Sequence, residues 1–270
     1  MKKVALITGA SSGIGKETAK LLVASGYIVY GAARRVDKMN DLKEEGVKLL
    51  ELDVTKDESM VNAVQKILET EKRIDVLVNN AGYGSYGALE DVPLYEAKYQ
   101  FEVNIFGLAR LIQLVLPYMR QQKSGKIINV SSMGGKFGEP HGAWYHATKF
   151  AVEGLSDSLR MELKQFNIDV VVIQPGAIIT EWNTIARENL MKVSGHTAYK
   201  DLVAKHVRFL ATGDTKGSQP IVVAKVIVKA ALSNHPKTRY AMGYGAKLLL
   251  FMRKMLSDRM FDKVLISQMK

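Results

Sequence analysis

Short runs of apolar residues alternate along the chain with longer segments whose apolar residues recur every three or four positions. The short runs predict strands at Val4–Thr8, Ile28–Ala32, Val47–Leu50, Val76–Val78, Lys126–Val130, Val170–Ile173 and Arg239–Met242. The longer segments predict helices at Ile14–Ser25, Asp57–Lys72, Leu94–Gln121, Ala143–Phe166 and Pro220–Leu232. The central strands are apolar throughout, as expected when helices cover both faces of a sheet. The alternation therefore predicts an α/β fold with a doubly wound, mostly parallel sheet.

One region, residues 177–219, breaks this alternation because it has no strand pattern and only irregular apolar spacing. A segment of this length without regular structure is commonly a functional loop, so we interpret it as a lid or substrate loop. The chain shows no internal repeat and no low-complexity linker. Because α/β folds of this size often form one unit, we expect a single domain over residues 1–270.

A glycine-rich segment follows the first predicted strand directly. Its glycines are Gly9, Gly13 and Gly15, and Ser11, Ser12 and Ile14 lie between them. Glycine lets the backbone turn sharply and lets an anion approach it, and the N-terminus of the following helix favours negative charge. The segment predicts a phosphate-binding turn, with a purely structural turn as the alternative.

A tyrosine and a lysine, Tyr145 and Lys149, are four residues apart in a predicted helix. Positions i and i+4 share one face of a helix, so the phenol and the ammonium group project into the same space. A neighbouring cation lowers the pKa of a phenol, and a general acid or base works best when its pKa lies near the working pH. The spacing alone is also typical of a solvated helix face. Ser132, which ends another apolar strand, makes an acid/base site the stronger interpretation.

Eight landmarks occur in the order typical of the short-chain dehydrogenase/reductase family, which the chain resembles over nearly its whole length. They are the glycine-rich segment, Asp53-Val54, Asn79-Asn80-Ala81-Gly82, Asn104, Ser132, Tyr145, Lys149 and Pro175-Gly176. The resemblance implies a Rossmann-type sheet and hydride transfer between a nicotinamide cofactor and a carbonyl or alcohol. It implies Tyr145 as the catalytic acid/base, with Lys149 lowering its pKa and binding the nicotinamide ribose. Ser132 would hold the substrate oxygen, and Asn104 would bind a water that relays protons to Lys149, a capped helix kink being its alternative.

The end of the second strand bears on the choice of cofactor. NAD-preferring relatives carry an acidic residue there, which binds the ribose 2′-hydroxyl, whereas this chain has Ala33, followed by Arg34 and Arg35. Guanidinium groups suit a 2′-phosphate, so we expect NADP(H), with exposed loop cations as the alternative. The family pattern implies further cofactor contacts: Asp53 would bind the adenine amine, and Val54 would pack on the adenine ring. Asn80, Ala81 and Gly82 would line the path to the nicotinamide. Thr180, near Pro175 and Gly176, would bind the carboxamide.

Apolar residues near the predicted serine and in the 177–219 region favour a hydrophobic substrate. They are Met133, Phe137, Trp144, Trp182, Ile185, Leu190, Met191 and Phe209, about half of which core packing would equally explain. The segment from Lys237 to Ile266 resembles the C-terminal extension of the steroid- and retinol-dehydrogenase branch. We therefore expect a hydrophobic secondary alcohol and its ketone or aldehyde, of steroid, retinoid or lipid type. A non-catalytic NADP(H)-bound scaffold or sensor is the alternative, which the intact set of catalytic residues disfavours.

The chain has no cysteine, which excludes disulfides and thiolate chemistry and fits a cytoplasmic location. The histidines His141, His146 and His196 have no metal-ligand spacing, so we expect no metal site. In the family the helices predicted here at Leu94–Gln121 and Ala143–Phe166 pair between subunits. We therefore expect a homodimer or a homotetramer.

The net charge of +11 is concentrated at the C-terminus, where residues 237–270 hold eight Lys or Arg against two Asp, a net +6. Apolar residues interleave with these basic ones. A solvated basic helix face and docking to an anionic membrane surface both remain open. We expect no nucleic acid, because no nucleic-acid-binding module accompanies the charge. Retention of a chain cut after Pro236 on membranes and on DNA would separate these interpretations.

Overall fold

The computed structural model describes residues 2–269, and its centre is a sheet of seven parallel strands in the order β3-β2-β1-β4-β5-β6-β7. The strands are β1 (Val4–Thr8), β2 (Ile28–Ala33), β3 (Lys48–Glu51), β4 (Val76–Asn79), β5 (Gly125–Val130), β6 (Ile168–Pro175) and β7 (Arg239–Met242). Every predicted strand is present, with its ends shifted by at most two residues. The strand order reverses between β1 and β4, and sheets of this kind bind ligands beyond the carboxyl ends of the strands at that point.

Helices cover both faces of the sheet. They are α1 (Gly13–Ala24), α2 (Asn40–Glu44), α3 (Asp57–Glu71), α4 (Leu94–Phe101), α5 (Gly107–Gln122), α6 (Ala143–Leu163), α7 (Glu181–Ser194), α8 (Lys200–Lys216), α9 (Pro220–Leu232), α10 (Ala246–Met255) and α11 (Asp258–Ser267). On one face Leu22 of α1 and Ile227 of α9 pack in one aliphatic cluster with the strands. On the other, Ile67 of α3, Leu111 of α5 and Val152 of α6 form a second cluster. Burial of both faces confirms the doubly wound α/β fold.

Residues 177–219 are the main error of the sequence prediction, because α7 and α8 occupy most of this region and pack against each other. Their buried residues Ala186, Leu190 and Val203 join Tyr86 in a small apolar cluster. Ala186 and Leu190 are four apart and so share one helix face. Other apolar residues, such as Ile185 and Met191, lie away from this stripe, so the helical periodicity does not stand out in the sequence. The prediction of an irregular loop was therefore wrong. A role of this region as a lid or substrate loop stays a prediction.

The predicted helix Leu94–Gln121 is continuous, but a π-helical turn at Glu102–Phe106 separates α4 from α5. By length and hydropathy alone the segment Leu94–Gln122 is long and apolar enough to cross a bilayer. Leu111 is fully buried in the cluster against the sheet, so packing in the core accounts for the apolar composition. The turn contains Asn104, and π-helical turns are frequent at functional sites.

The C-terminal segment forms α10 and α11, and Phe261 and Leu265 of α11 pack on Phe137, which follows β5. Large apolar side chains remain exposed on these two helices, at Leu248, Phe251, Met255, Met260 and Ile266. Basic residues separate them along the chain. The surface is therefore mixed, basic and apolar, and its contact with a membrane stays a prediction.

Candidate active site

The glycine-rich turn links the carboxyl end of β1 to α1. Gly9 and Gly13 have φ values of 68° and 53°, which L side chains rarely adopt. A Cβ on Gly15 would lie 2.3 Å from the Gly9 carbonyl oxygen, so a side chain does not fit there. Ser12, just before α1, makes no side-chain capping hydrogen bond. The first N–H groups of the helix are therefore available to donate to another acceptor. A phosphate group fits this turn.

The end of β4 is tied to the same turn. The Asn80 side-chain Nδ2 donates to the carbonyl oxygens of Thr8 and Gly9, at 3.0 Å and 3.2 Å. The backbone N–H groups of Asn80 and Ala81 donate to the Thr8 hydroxyl, at 3.1 Å and 3.0 Å. These bonds hold the two strand ends on either side of the point where the strand order reverses.

Ser132, Tyr145 and Lys149 line one cleft with the glycine-rich turn, and its volume is about 1970 Å³. Lys149 and Tyr145 share a face of α6, with Lys149 Nζ 5.7 Å from the centre of the phenol ring. The same Nζ donates to the Val130 carbonyl oxygen at 3.0 Å. The Ser132 hydroxyl accepts from the Gly134 N–H at 3.0 Å. The spacing in the sequence therefore translates into three polar groups at one point of the cleft.

The structure does not have the lowered Tyr145 pKa that was expected from the neighbouring Lys149. Burial raises the pKa of Tyr145 to about 12, although the facing Ser132 hydroxyl acts to lower it. Burial also lowers the pKa of Lys149 to about 8, against the charge of Glu153, which raises it. The expectation of a lowered tyrosine pKa was therefore wrong, because burial of the phenol is the largest influence on its pKa.

Asn104 is buried behind the cleft rather than on its surface. Its Oδ1 accepts from the Tyr83 N–H at 2.8 Å, and its Nδ2 donates to the Tyr83 carbonyl at 2.8 Å and the Thr148 hydroxyl at 3.0 Å. The side chain thus holds the segment after β4 against α6. The water relay to Lys149 stays a prediction.

Arg34 and Arg35 lie at the carboxyl end of β2 and line the cleft. Arg34 donates to the Tyr99 hydroxyl at 2.9 Å. Arg35 donates to the Ser11 hydroxyl at 3.4 Å and forms an ion pair with Glu181, the first residue of α7, at 3.1 Å. The Arg35 guanidinium is therefore held beside the glycine-rich turn, and Arg34 lines the same cleft next to it.

The other predicted cofactor residues also line the cleft, except Gly15, which packs behind the turn. Asp53 uses Oδ1 to accept from the N–H and the hydroxyl of Thr55, at 3.0 Å and 2.8 Å. Thr180 immediately precedes α7 and lies against Gly13. Together these residues line one cleft that runs from the end of β3 to Tyr145.

The predicted apolar pocket is only partly right. Met133, Phe137, Trp182, Ile185 and Phe209 line the cleft. The other three do not: Leu190 is fully buried in the small cluster, Met191 is 48% exposed on α7, and Trp144 packs edge-on against Phe101. Helical periodicity explains the error, since side chains on the same short helix point to opposite sides.

The sequence interpretation missed two groups in the cleft wall. Tyr86 is buried with its ring centre 5.7 Å from that of Tyr145, and its hydroxyl donates to Glu139 at 2.9 Å. No short-range pattern marks either residue, since they come from loops 53 positions apart. Within residues 2–269 no three His, Asp or Glu side chains are arranged to hold a metal ion.

Comparison with known proteins agrees with this geometry. The family model described as short chain dehydrogenase matches residues 3–190. The chain is 38% identical over 265 residues to a 3-ketodihydrosphingosine reductase of Bacteroides thetaiotaomicron, covering 97% of this chain and 96% of the relative. It is 33% identical over 285 residues to an NADPH-dependent 3-dehydrocapnine reductase of Ornithobacterium rhinotracheale, covering 99% and 98%.

A solved short-chain dehydrogenase from Streptomyces avermitilis superposes with a TM-score of 0.81 at 34% identity, covering 98% of this chain and 97% of that one. The match extends over both the parallel sheet and the helices that flank it. The chain therefore belongs to the short-chain dehydrogenase family, and it is an oxidoreductase that works with a nicotinamide cofactor.

Proposed function

We propose that the protein is an NADP(H)-dependent oxidoreductase that interconverts a hydrophobic secondary alcohol and its ketone. The proposal rests on one observation: Ser132, Tyr145 and Lys149 line the same cleft, which begins at the glycine-rich turn. A nicotinamide bound along that path supplies or accepts a hydride. The chain's own residues then have to bind the substrate oxygen and move one proton.

Tyr145 is the group proposed to move that proton. Its raised pKa keeps the phenol protonated at neutral pH, so it donates to the carbonyl oxygen during reduction. The Ser132 hydroxyl orients the same oxygen where negative charge develops. Lys149 binds the nicotinamide ribose. Its hydrogen bond to Val130 also holds the part of α6 that carries Tyr145 close to β5.

The two arginines after β2 support NADP(H) over NAD(H). Ala33 offers no carboxylate to a ribose 2′-hydroxyl, whereas Arg34 and Arg35 present two guanidinium groups to a 2′-phosphate. The Ornithobacterium relative is named as NADPH-dependent, which agrees with this choice. Asp53 and Val54 are proposed to contact the adenine, and Asn80, Ala81 and Gly82 to line the path towards Tyr145. Thr180 is proposed to bind the carboxamide, next to Pro175 and Gly176.

A hydrophobic substrate is supported by the outer wall of the cleft. Phe137, Trp182 and Ile185 line it, and Leu249 and Met252 of α10 extend the apolar lining towards the C-terminus. The two named relatives are reductases of a 3-keto and a 3-dehydro compound. A long aliphatic ketone suits this apolar lining. Steroid and retinoid carbonyl compounds are the other possible results of the substrate test.

A panel of carbonyl compounds tests the proposal. With NADPH, we expect kcat/KM for long-chain aliphatic ketones to exceed that for small polar sugars by about 100-fold, because each buried CH₂ contributes roughly 0.8 kcal/mol. Steady-state consumption of NADPH measures this. Faster turnover of the sugars than of any aliphatic, aryl or steroidal ketone would contradict the hydrophobic assignment.

A second copy of the chain is proposed to cover the outer faces of α5 and α6. Tyr118, Phe150 and Met161 are exposed on these helices by 39%, 48% and 69%, and a helix pair that presents several large apolar side chains suits a protein partner. We expect the double substitution Phe150→Glu and Met161→Glu to convert a dimer or tetramer into smaller species in sedimentation velocity. Leu232→Glu is the control, because Leu232 is 51% exposed on α9. A wild-type protein that sediments as a monomer would contradict the proposal.

A further inference from the structure

The helix α10 exposes an apolar stripe on its outer side. Leu248, Phe251 and Met255 are exposed by 63%, 62% and 64%, and positions i, i+3 and i+7 lie on one side of a helix. On the other side of α10, Ala246 is buried and Leu249 packs in the apolar cluster that holds α11. Helices of globular domains normally bury their apolar stripe. The outer stripe, formed by these three exposed residues, is therefore not covered by any part of residues 2–269.

Cations flank the outer stripe. Lys247 and Lys254 are exposed and seven residues apart, so they lie along one edge of it. The helix α10 contains no Asp or Glu. Within residues 2–269 neither ammonium group lies within 4.0 Å of a carboxylate, whereas Arg253 pairs with Asp258 at 2.7 Å. The stripe therefore combines exposed apolar area with positive charge that no neighbouring carboxylate neutralises.

The following helix, α11, has a similar exposed side. Arg259 and Lys263 are exposed and four residues apart, so they share one side of the helix. Met260 and Ile266 are exposed beside them. Phe261 is buried and packs in the apolar cluster that anchors the helix to the domain. Both helices thus pack inwards through one side and present basic and apolar side chains to the outside.

We propose that α10 and α11 dock on the surface of an anionic lipid bilayer. The outer stripe lies at the boundary between headgroups and acyl chains, and the basic side chains lie at the lipid phosphates. Helices with large apolar side chains beside Lys or Arg bind membranes in this way. Each basic residue near an anionic surface raises the affinity by about fivefold. Leu248 also lines the cleft, so the docked surface adjoins it. Docking does not depend on which compound the protein reduces.

A bilayer fits this surface better than a protein partner. A two-fold contact between copies through the outer stripe would bring the lysines of one copy close to those of the other, without a carboxylate on α10 to offset them. An acidic protein would supply the opposite charge, but it would cover the side of the cleft that Lys247 and Leu248 line. Lipid chains leave that side open to apolar compounds dissolved in the bilayer.

Co-sedimentation with vesicles tests the docking. One set of vesicles contains phosphatidylglycerol and phosphatidylcholine at a ratio of about 3:7, and the other contains phosphatidylcholine alone. We expect the wild type to bind the anionic vesicles about 20-fold or more tightly, and to lose most of this preference in about 0.5 M NaCl, because salt screens the charges. The double variant Phe251→Ser and Met255→Ser should bind them about tenfold or more weakly. Neither residue lines the cleft.

The matched control is the double variant Leu89→Ser and Leu94→Ser. These residues are 58% and 65% exposed just before and at the start of α4, and they also lie outside the cleft lining. This variant should keep the wild-type affinity. Lys254→Gln should lower the affinity for the anionic vesicles by about fivefold and leave that for the neutral ones unchanged. Circular dichroism should show the same helix content in every variant.

The absence of cysteine allows a site-specific readout. Met255→Cys, labelled with a polarity-sensitive dye, should shift its emission to shorter wavelength with anionic vesicles, whereas Leu94→Cys with the same dye should not. A wild type that binds no vesicles would overturn the proposal and favour an acidic protein as the occupant. Equal binding to both kinds of vesicle, equal weakening in the control variant, or the same dye shift at both positions would also overturn it. None of these results bears on ketone reduction in solution, which the substrate panel measures separately.

Discussion

Replacement of Tyr145 by Phe should lower kcat for ketone reduction by about 10²- to 10⁴-fold, the range that a positioned general acid contributes. The substitution removes one hydroxyl and leaves the ring that packs on Tyr86 and Trp182. We therefore expect the fold and the affinity for the cofactor to change little. Steady-state kinetics and a fluorescence titration with NADPH measure the two effects separately.

The matched control for this substitution is Tyr95→Phe, because that phenol is 73% exposed and outside the cleft. It should keep the wild-type kcat. Alcohol oxidation offers a second readout: it needs the phenolate, and burial raises the pKa of Tyr145 to about 12. The oxidation rate of the wild type should therefore rise with pH up to the alkaline limit of stability. More than a few per cent of wild-type turnover in Tyr145→Phe would assign the proton to another group.

The strands and the reactive residues were predictable from the sequence because both depend on local patterns. Val4–Thr8 is apolar throughout and ends at a glycine-rich turn, so the sequence predicts both a buried strand and the turn that follows it. Tyr145 and Lys149 are four residues apart on one helix, and a fixed spacing translates directly into a shared face. Their relation to Ser132 followed from the family resemblance, which supplied the long-range contact.

The errors arose where packing between distant segments decides the outcome. The helices α7 and α8 are mostly polar, and they are stabilised by a cluster to which Tyr86, from a loop before α4, contributes. The pKa of Tyr145 was expected to fall because only its helix neighbour was visible in the sequence. The surfaces that bury it, among them Trp182 at 5.1 Å between ring centres, come from elsewhere in the chain. Glu139 was missed for the same reason.

Loss of both arginines after β2 should reverse the choice of cofactor. We expect the double variant Arg34→Ala and Arg35→Ala to lower kcat/KM for NADPH by about 10²- to 10⁴-fold, since each hydrogen bond to a charged group contributes roughly 1.5–3 kcal/mol. The value for NADH should change by less than about threefold, because that cofactor has no 2′-phosphate. Kinetics with both cofactors, at one saturating ketone concentration, measure the ratio.

The two arginines differ in what else they contact, which makes the single variants informative. Arg35 pairs with Glu181 at the start of α7, whereas Arg34 contacts Tyr99. Arg35→Ala should therefore also alter the KM for the ketone, because α7 carries Trp182 into the cleft, and Arg34→Ala should not. Lys38→Ala removes a cation that lies 3.7 Å from the same Glu181 and is not part of the cleft lining. If Lys38→Ala lowered the preference for NADPH as much as either arginine variant, the effect would reflect general surface charge rather than recognition of the 2′-phosphate.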